Sequence, residues 1–242
     1  MGWLTDLDRG FLDLAFPRDC AVTQLPMDDE PLRHLSPAGV ALLPRIGDPR
    51  CLTCGHPFEG VLEGDRACPH CLDLRPAFGR AVCAFRARGS ARRIVHRIKY
   101  ERCPFLADDL AAAAAEDEVF RRHLAGSVLV PVPLHDARRR DRGYNQAERI
   151  TERLAALIPG CQAEALLRKQ HETVSQTRLG RQERRKNVAD AFVVAAGKTV
   201  DAATRYVVID DVLTTGATLH ACALALRKAG AEGVDAAALC HG

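Results

Sequence analysis

Aromatic residues make up 5% of the 242 positions. So few rings offer little material for stacking the bases of a nucleic-acid strand. Strong charge imbalance is also missing: 34 basic and 31 acidic side chains leave a net charge of +3, which excludes a general affinity for polyanions. No apolar run approaches the ~20 residues of a membrane helix; the longest, "LAAAAA" from Leu110, is far shorter. The stretch "MGWLTDLDRGFLDLAFPRDC" carries acids where a secretory signal has its basic segment. The expectation is therefore a cytoplasmic chain with reduced thiols. Trp3, Leu4, Leu7, Phe11, Leu12 and Leu14 recur there at helical spacing, which predicts an amphipathic helix. Asp6, Asp8 and Asp13 would repel an anionic membrane, so the helix reads as a cap on the protein's own core.

Cysteine, by contrast, is plentiful, with ten residues. In "CLTCGHPFEGVLEGDRACPHCL", Cys51 and Cys54 form one CxxC pair and Cys68 and Cys71 another, with thirteen residues between. Each such knuckle points two sulfurs to one side, and two knuckles supply four thiolates for tetrahedral Zn²⁺. Four sulfurs leave no position for water, so the metal is expected to be structural. Gly55 suits the tight turn after the first pair. A redox role is the lesser reading, because neither pair is expected at a strand-to-helix junction. His56 and His70 are surplus to a complete set. Cys20, Cys83, Cys103, Cys161, Cys222 and Cys240 lack partners by spacing and read as small core residues. No second pair precedes Cys51, so one metal site is expected.

Residues 1–80 are expected to form an N-terminal helix and zinc-ribbon domain, and residues 81–242 an α/β domain. In the second region "AVCAF", "SVLVPVPL", "AEALLRK", "DAFVVA", "RYVVID" and "VDAAAL" read as strands. Helices are predicted over 90–100, capped by Ser90, over 105–126, over 143–160 and over 218–230. Alternation of strands and helices predicts a parallel sheet. The polar stretch "QHETVSQTRLGRQERRKNV" is then a long loop of the kind that often carries function.

The stretch "VVIDDVLTTGATL", Val207 to Leu219, holds the strongest signal. An apolar run suits a central strand buried on both faces, and ligands bind at the C-terminal ends of such strands. The following turn offers backbone amides, hydroxyls and a helix start, which together cradle a phosphate. Two acids beside a phosphate need another partner, either vicinal hydroxyls or a divalent cation; a sugar phosphate satisfies both demands. Upstream, "HDARRRDRGYNQ" places Arg138, Arg139, Arg140 and Arg142 after a strand, a basic loop that can present guanidinium forks to phosphate oxygens.

The first stretch closely resembles the phosphoribosyl-pyrophosphate (PRPP) signature of type I phosphoribosyltransferases. By that resemblance Asp210 and Asp211 hold the ribose hydroxyls, and Leu213, Thr214, Thr215, Gly216, Ala217 and Thr218 form the 5-phosphate turn. The cysteine knuckles, "VPVPL" with "RGYNQ", and the "Q…L…R…N" positions together resemble the ComF/GntX family, competence-associated bacterial proteins similar to amidophosphoribosyltransferases. Tyr144 stands where that family usually has Phe. The resemblance implies a type I phosphoribosyltransferase-like α/β fold preceded by a small four-cysteine zinc ribbon, and PRPP bound with Mg²⁺. It assigns Lys99, Arg138, Arg142, Gly143, Asn145, Gln146, Gln176, Arg184 and Asn187 to the pyrophosphate and flexible-loop positions. It also implies a link to DNA uptake, with single-stranded DNA and competence or recombination proteins as partners. Three functions stay open: a phosphoribosyltransferase of unknown acceptor, a single-stranded DNA-binding protein, and a PRPP sensor without turnover. His34, His56, His70 and His135 are available acids or bases, and none is singled out as catalytic.

Overall fold

The computed structural model describes residues 18–27, 30–58, 60, 66–170 and 191–242. The helix expected over Trp3 to Leu14 lies outside them. Short elements come first: β1 (Arg18–Asp19) pairs antiparallel with β2 (Pro26–Met27), followed by α1 (Pro37–Ala41) and α2 (Pro69–Leu74). The main body then runs β3 (Ala81–Arg86), α3 (Gly89–Tyr100), α4 (Phe105–Ala115), α5 (Glu118–Leu124), β4 (Val128–Pro131), α6 (Asp136–Arg142) and α7 (Gln146–Leu157). It continues with β5 (Gln162–Ala163), β6 (Leu167–Lys169), β7 (Phe192–Val194), β8 (Arg205–Leu213), α8 (Ala217–Lys228) and β9 (Gly233–His241).

Five strands form one parallel sheet in the order β3-β9-β8-β4-β5. The parallel α/β sheet flanked by helices is therefore borne out. Alternation along β8 explains why an unbroken apolar run suits its centre. Tyr206 and Val208 join one buried cluster, which includes Cys222 and Leu226 of α8. Val207 and Ile209 join the other, with Ile98, Leu110, Ile150 and Leu154 of α3, α4 and α7. On α3 the buried residues Ala91, Ile94, Val95 and Ile98 fall at the spacing of one helical face. Among the described residues no helix is long and apolar enough to cross a membrane.

Several expectations are corrected. The helix expected over 105–126 is two helices, because the Asp117 side chain accepts the Phe120 N–H at 2.9 Å and starts a new one; a short carboxylate favours such a cap over helix continuation. Ser90 does not cap α3: that helix starts at Gly89, and the Ser90 hydroxyl donates to Leu42 O at 2.9 Å. The arginine loop is a helix, α6, capped by His135 and closed by Gly143 at φ 83°. "AEALLRK" does not enter the sheet as one strand. Residues Leu167–Lys169 instead pair antiparallel with Phe192–Val194, so these two strands flank the polar stretch as a separate ribbon. Gln176, Arg184 and Asn187, with the rest of 171–190, lie outside the described residues.

Phe85 is fully buried on β3, with the Arg45 guanidinium 5.4 Å from its ring centroid. Phe85→Ala is expected to lower unfolding free energy by about 3–5 kcal/mol, as measured by urea denaturation.

Candidate functional site

The C-terminal ends of β4 and β8 open into a cleft of about 400 Å³. Asp210 and Asp211 stand at the end of β8 and both line it. Consecutive side chains on a strand leave opposite faces, and a cleft capping the strand end is reached from both. Asp211 is 2% exposed; its Oδ1 accepts the Val212 N–H at 3.0 Å and its Oδ2 lies 2.8 Å from Lys99 Nζ of α3. Asp210 is less covered, and its Oδ1 accepts the Asp211 N–H at 2.8 Å. Loss of solvent and then the adjacent Asp211 charge push the Asp210 carboxyl well above the ordinary range, and Lys99 offsets only part of this. Charge on Asp210 is thus undercompensated in the ligand-free chain.

The turn after β8 presents Thr214, Ala217 and Thr218 to the cleft. Gly216 carries φ 78° at the N-cap of α8, a left-handed conformation that glycine adopts without strain. Leu213 is a core residue at 2% exposure, so its side chain is not available to a ligand. Thr215 is exposed but does not line the cleft. On the opposite side Arg138 and Arg142 of α6 and Gln146 of α7 face the same space, and Arg142 donates to Gln146 Oε1. Gly143 and Asn145 do not line it. Asn145 is buried: its Nδ2 donates to Val132 O and its Oδ1 accepts the Ala147 N–H, both at 3.0 Å. Its place is to fasten the start of α7 to the end of β4.

Sequence reasoning missed Tyr100, Lys169 and Phe192, which also line the cleft. Lys169 Nζ lies 5.6 Å from the Phe192 ring centroid, so the base of the β6–β7 ribbon forms one wall. The position of Lys169 directly before the polar stretch was the available signal. Tyr144 donates to Ile98 O, tying the segment between α6 and α7 to the helix that carries Lys99.

The four sulfurs of Cys51, Cys54, Cys68 and Cys71 are buried and lie within 4.8 Å of one another. Cys51–Cys71 and Cys54–Cys68 Sγ separations are 3.9 and 3.4 Å. A tetrahedron of Zn–S bonds near 2.3 Å has edges of about 3.8 Å, so the residues fit zinc. Burial raises the Cys71 thiol to about 12. Burial also acts most strongly on Cys51, but backbone N–H groups of Cys54, Cys68 and Thr53 outweigh it and bring that thiol down to about 7. A dication at the centre relieves the cost of gathering four thiolates. Among the described residues this is the one cluster with metal-ligand dimensions. Cys68 is the N-cap of α2, so the second pair does open a helix, contrary to expectation. Cys20, Cys83, Cys222 and Cys240 are buried, while Cys103 and Cys161 are partly exposed.

A parallel α/β sheet with a charged cleft at its strand ends, joined to a four-cysteine cluster, defines the class. No protein-family model matches the chain. Competence protein F of Haemophilus influenzae is 27% identical over 186 residues, 75% of this chain and 81% of its own. The DNA utilization protein YhgH of Salmonella typhi is 29% identical over 207 residues, 84% of this chain and 85% of its own. Competence protein ComFC of Streptococcus pneumoniae is 24% identical over 196 residues, 76% and 84% of the two chains. The chain is a homologue of these competence and DNA utilization proteins, and the resemblance to the ComF/GntX family is borne out.

Two outcomes follow from this geometry. Purified protein is expected to carry about one zinc per chain, measured by elemental mass spectrometry and reduced to background in Cys51→Ser. Because the folded Asp210 carboxyl is raised above its unfolded value, its contribution to stability is full below the ordinary carboxylate range. That contribution is lost as pH rises through the raised value. Asp210→Asn is therefore expected to raise the urea midpoint of the ligand-free protein at neutral pH, with the difference vanishing in acid.

Proposed function

We propose that the cleft binds PRPP and that the protein acts as a phosphoribosyltransferase-like protein in DNA uptake or use. The observation that carries this reading is the meeting of Asp210, Asp211, Thr214, Thr218, Lys99, Arg138 and Arg142 around one 400 Å³ space. The 5-phosphate goes to the turn at Thr214–Thr218, where the backbone amides of Leu213 to Thr218 and the start of the 12-residue helix α8 favour an anion. Asp210 accepts the ribose hydroxyls, whose donation offsets its undercompensated charge. Asp211 joins from the other face of the strand, keeping Lys99 beside it. Pyrophosphate lies toward Arg138, Arg142 and Gln146, with Gln176, Arg184 and Asn187 proposed for the same group by the resemblance.

Asp210 and Asp211 would help hold a Mg²⁺ that arrives with PRPP, and its charge would serve to neutralise pyrophosphate as a leaving group. The donor set suits a cation: two adjacent carboxylates share one close lysine. The chain's own groups orient the sugar, hold the charge that separates as the anomeric bond breaks, and present guanidinium donors to the departing oxygens. Val132, Pro133 and Leu134 form an apolar part of the cleft, which limits access of water to the anomeric carbon.

A second reading follows from the names of the relatives: binding of single-stranded DNA, with PRPP as a regulator of a chain that does not turn over. Its physical support is the exposed Arg138, Arg139 and Arg140 of α6. Calorimetry with PRPP and Mg²⁺ tests the first reading. Micromolar-range binding by the wild type, weakened at least 100-fold in Asp210→Asn/Asp211→Asn, is expected, about 2.7 kcal/mol. Equal binding by both proteins, or none by either, contradicts it. DNA affinity that falls steeply with salt and survives the double substitution supports the second reading.

A further inference from the structure

A second cavity, of about 360 Å³, lies between the cysteine knuckles and the ends of β3 and β9. His56, Phe58, Arg86, Arg88 and His241 line it. It adjoins the first cleft: a Cβ built on Gly242, which lines this cavity, would meet Thr214 Cγ2 at 3.2 Å. Thr214 in turn lines the cleft.

Two observations here point to a ligand. His241 is 4% exposed, yet among the described residues its Nε2 has no hydrogen-bond partner, and neither has Nδ1 of the half-buried His56. His241 Nδ1 lies 2.9 Å from Gly242 O. A carbonyl oxygen only accepts, so Nδ1 carries the proton and Nε2 offers a lone pair. Burial holds that ring down to about 4, so it is neutral and accepting at neutral pH. A buried acceptor without a donor costs free energy, and a ligand N–H or O–H removes that cost. Separately, two guanidinium groups line the cavity. Among the described residues Arg86 and Arg88 have no ion-pair partner, and Arg88 is the N-cap of the 12-residue helix α3, which no side chain caps. That helix start adds its own attraction for an anion.

We propose that this cavity is a second ligand site for a small carboxylate or phosphate compound bearing an N–H or O–H group. The anionic group meets Arg86, Arg88 and the start of α3, and the N–H or O–H donates to His241 Nε2. Its assignment as the seat of the acceptor rests on the sugar-phosphate reading of the neighbouring cleft; its assignment as a binding site does not. A molecule of this class anchored by its charge brings a nucleophilic nitrogen or oxygen to the wall that Thr214 shares with the cleft.

The test is ¹⁵N spectroscopy of the full chain labelled at histidine, with the His241 ring identified from a His241→Asn spectrum. Glycolate and inorganic phosphate are the donor-bearing probes, carboxylate and phosphate respectively, and acetate is the anion without a donor. Glycolate or phosphate is expected to shift His241 Nε2 saturably, whereas acetate competes without shifting it. Arg86→Ala/Arg88→Ala, both on accessible side chains, is expected to weaken the response at least tenfold, and Asp210→Asn to leave it unchanged. A silent His241 with all probes, or an undiminished response in the arginine variant, overturns the proposal. A His241 response in a protein that fails to bind PRPP upholds this site and removes the sugar-phosphate reading alone. PRPP binding with a silent His241 does the reverse.

Discussion

The Lys99–Asp211 ion pair at the mouth of β8 is the constraint around which the cleft is arranged. A carboxylate as covered as Asp211 is tolerable only with a charge beside it, because removing one partner of a buried pair leaves an uncompensated ion. Lys99 reaches it only because Ile98 and Ile94 pack α3 onto the same face of the sheet as Ile209. Once Lys99 is committed to Asp211, Asp210 on the other face has too little positive charge near it. That imbalance makes the strand end receptive to hydroxyl donors or a cation, and it costs stability in the empty protein.

The cysteine cluster bears on the same corner. Helix α2 contains Cys71 and ends at Leu74. A Cβ on Gly216 would come within 3.3 Å of Leu74 Cδ2, and the Ala77 N–H donates to His220 Nδ1 at 2.9 Å. The threonine-rich turn and the first turns of α8 therefore rest on the segment that follows the second knuckle. Its four cysteines also belong to the buried cluster that includes Val208 and Cys222. A metal that fixes the knuckles fixes the surface against which the turn is formed, which gives a structural cluster a consequence for ligand binding without any part in chemistry.

Much of this was legible in the sequence, and the reasons differ by element. β8 could be read because apolar residues buried on both faces leave an uninterrupted run, and its acids stood out against that run. The CxxC spacing carried the cluster because four sulfurs at those intervals have few other uses. Less legible was whatever tertiary contacts decide. Asp117 broke the single helix expected over 105–126, and the arginines after β4 formed α6 because His135 and Gly143 close its ends. Asn145 looked like a ligand group and is a fastening between β4 and α7. Leu213, placed within the phosphate turn by motif, is core. Lys169 and Phe192 come together only through a ribbon whose pairing no local pattern announced. Lys99 was identified by motif as a ligand group, but nothing in the sequence showed that it would sit on Asp211.

The most direct measurement is a crystal structure of the protein with PRPP and Mg²⁺. The account predicts the 5-phosphate against the amides of Thr214–Thr218, the ribose hydroxyls within hydrogen-bond distance of Asp210, and pyrophosphate toward Arg138 and Arg142. A ligand seated elsewhere, or a cleft left empty at saturating PRPP with Asp210 turned away from it, would contradict the account.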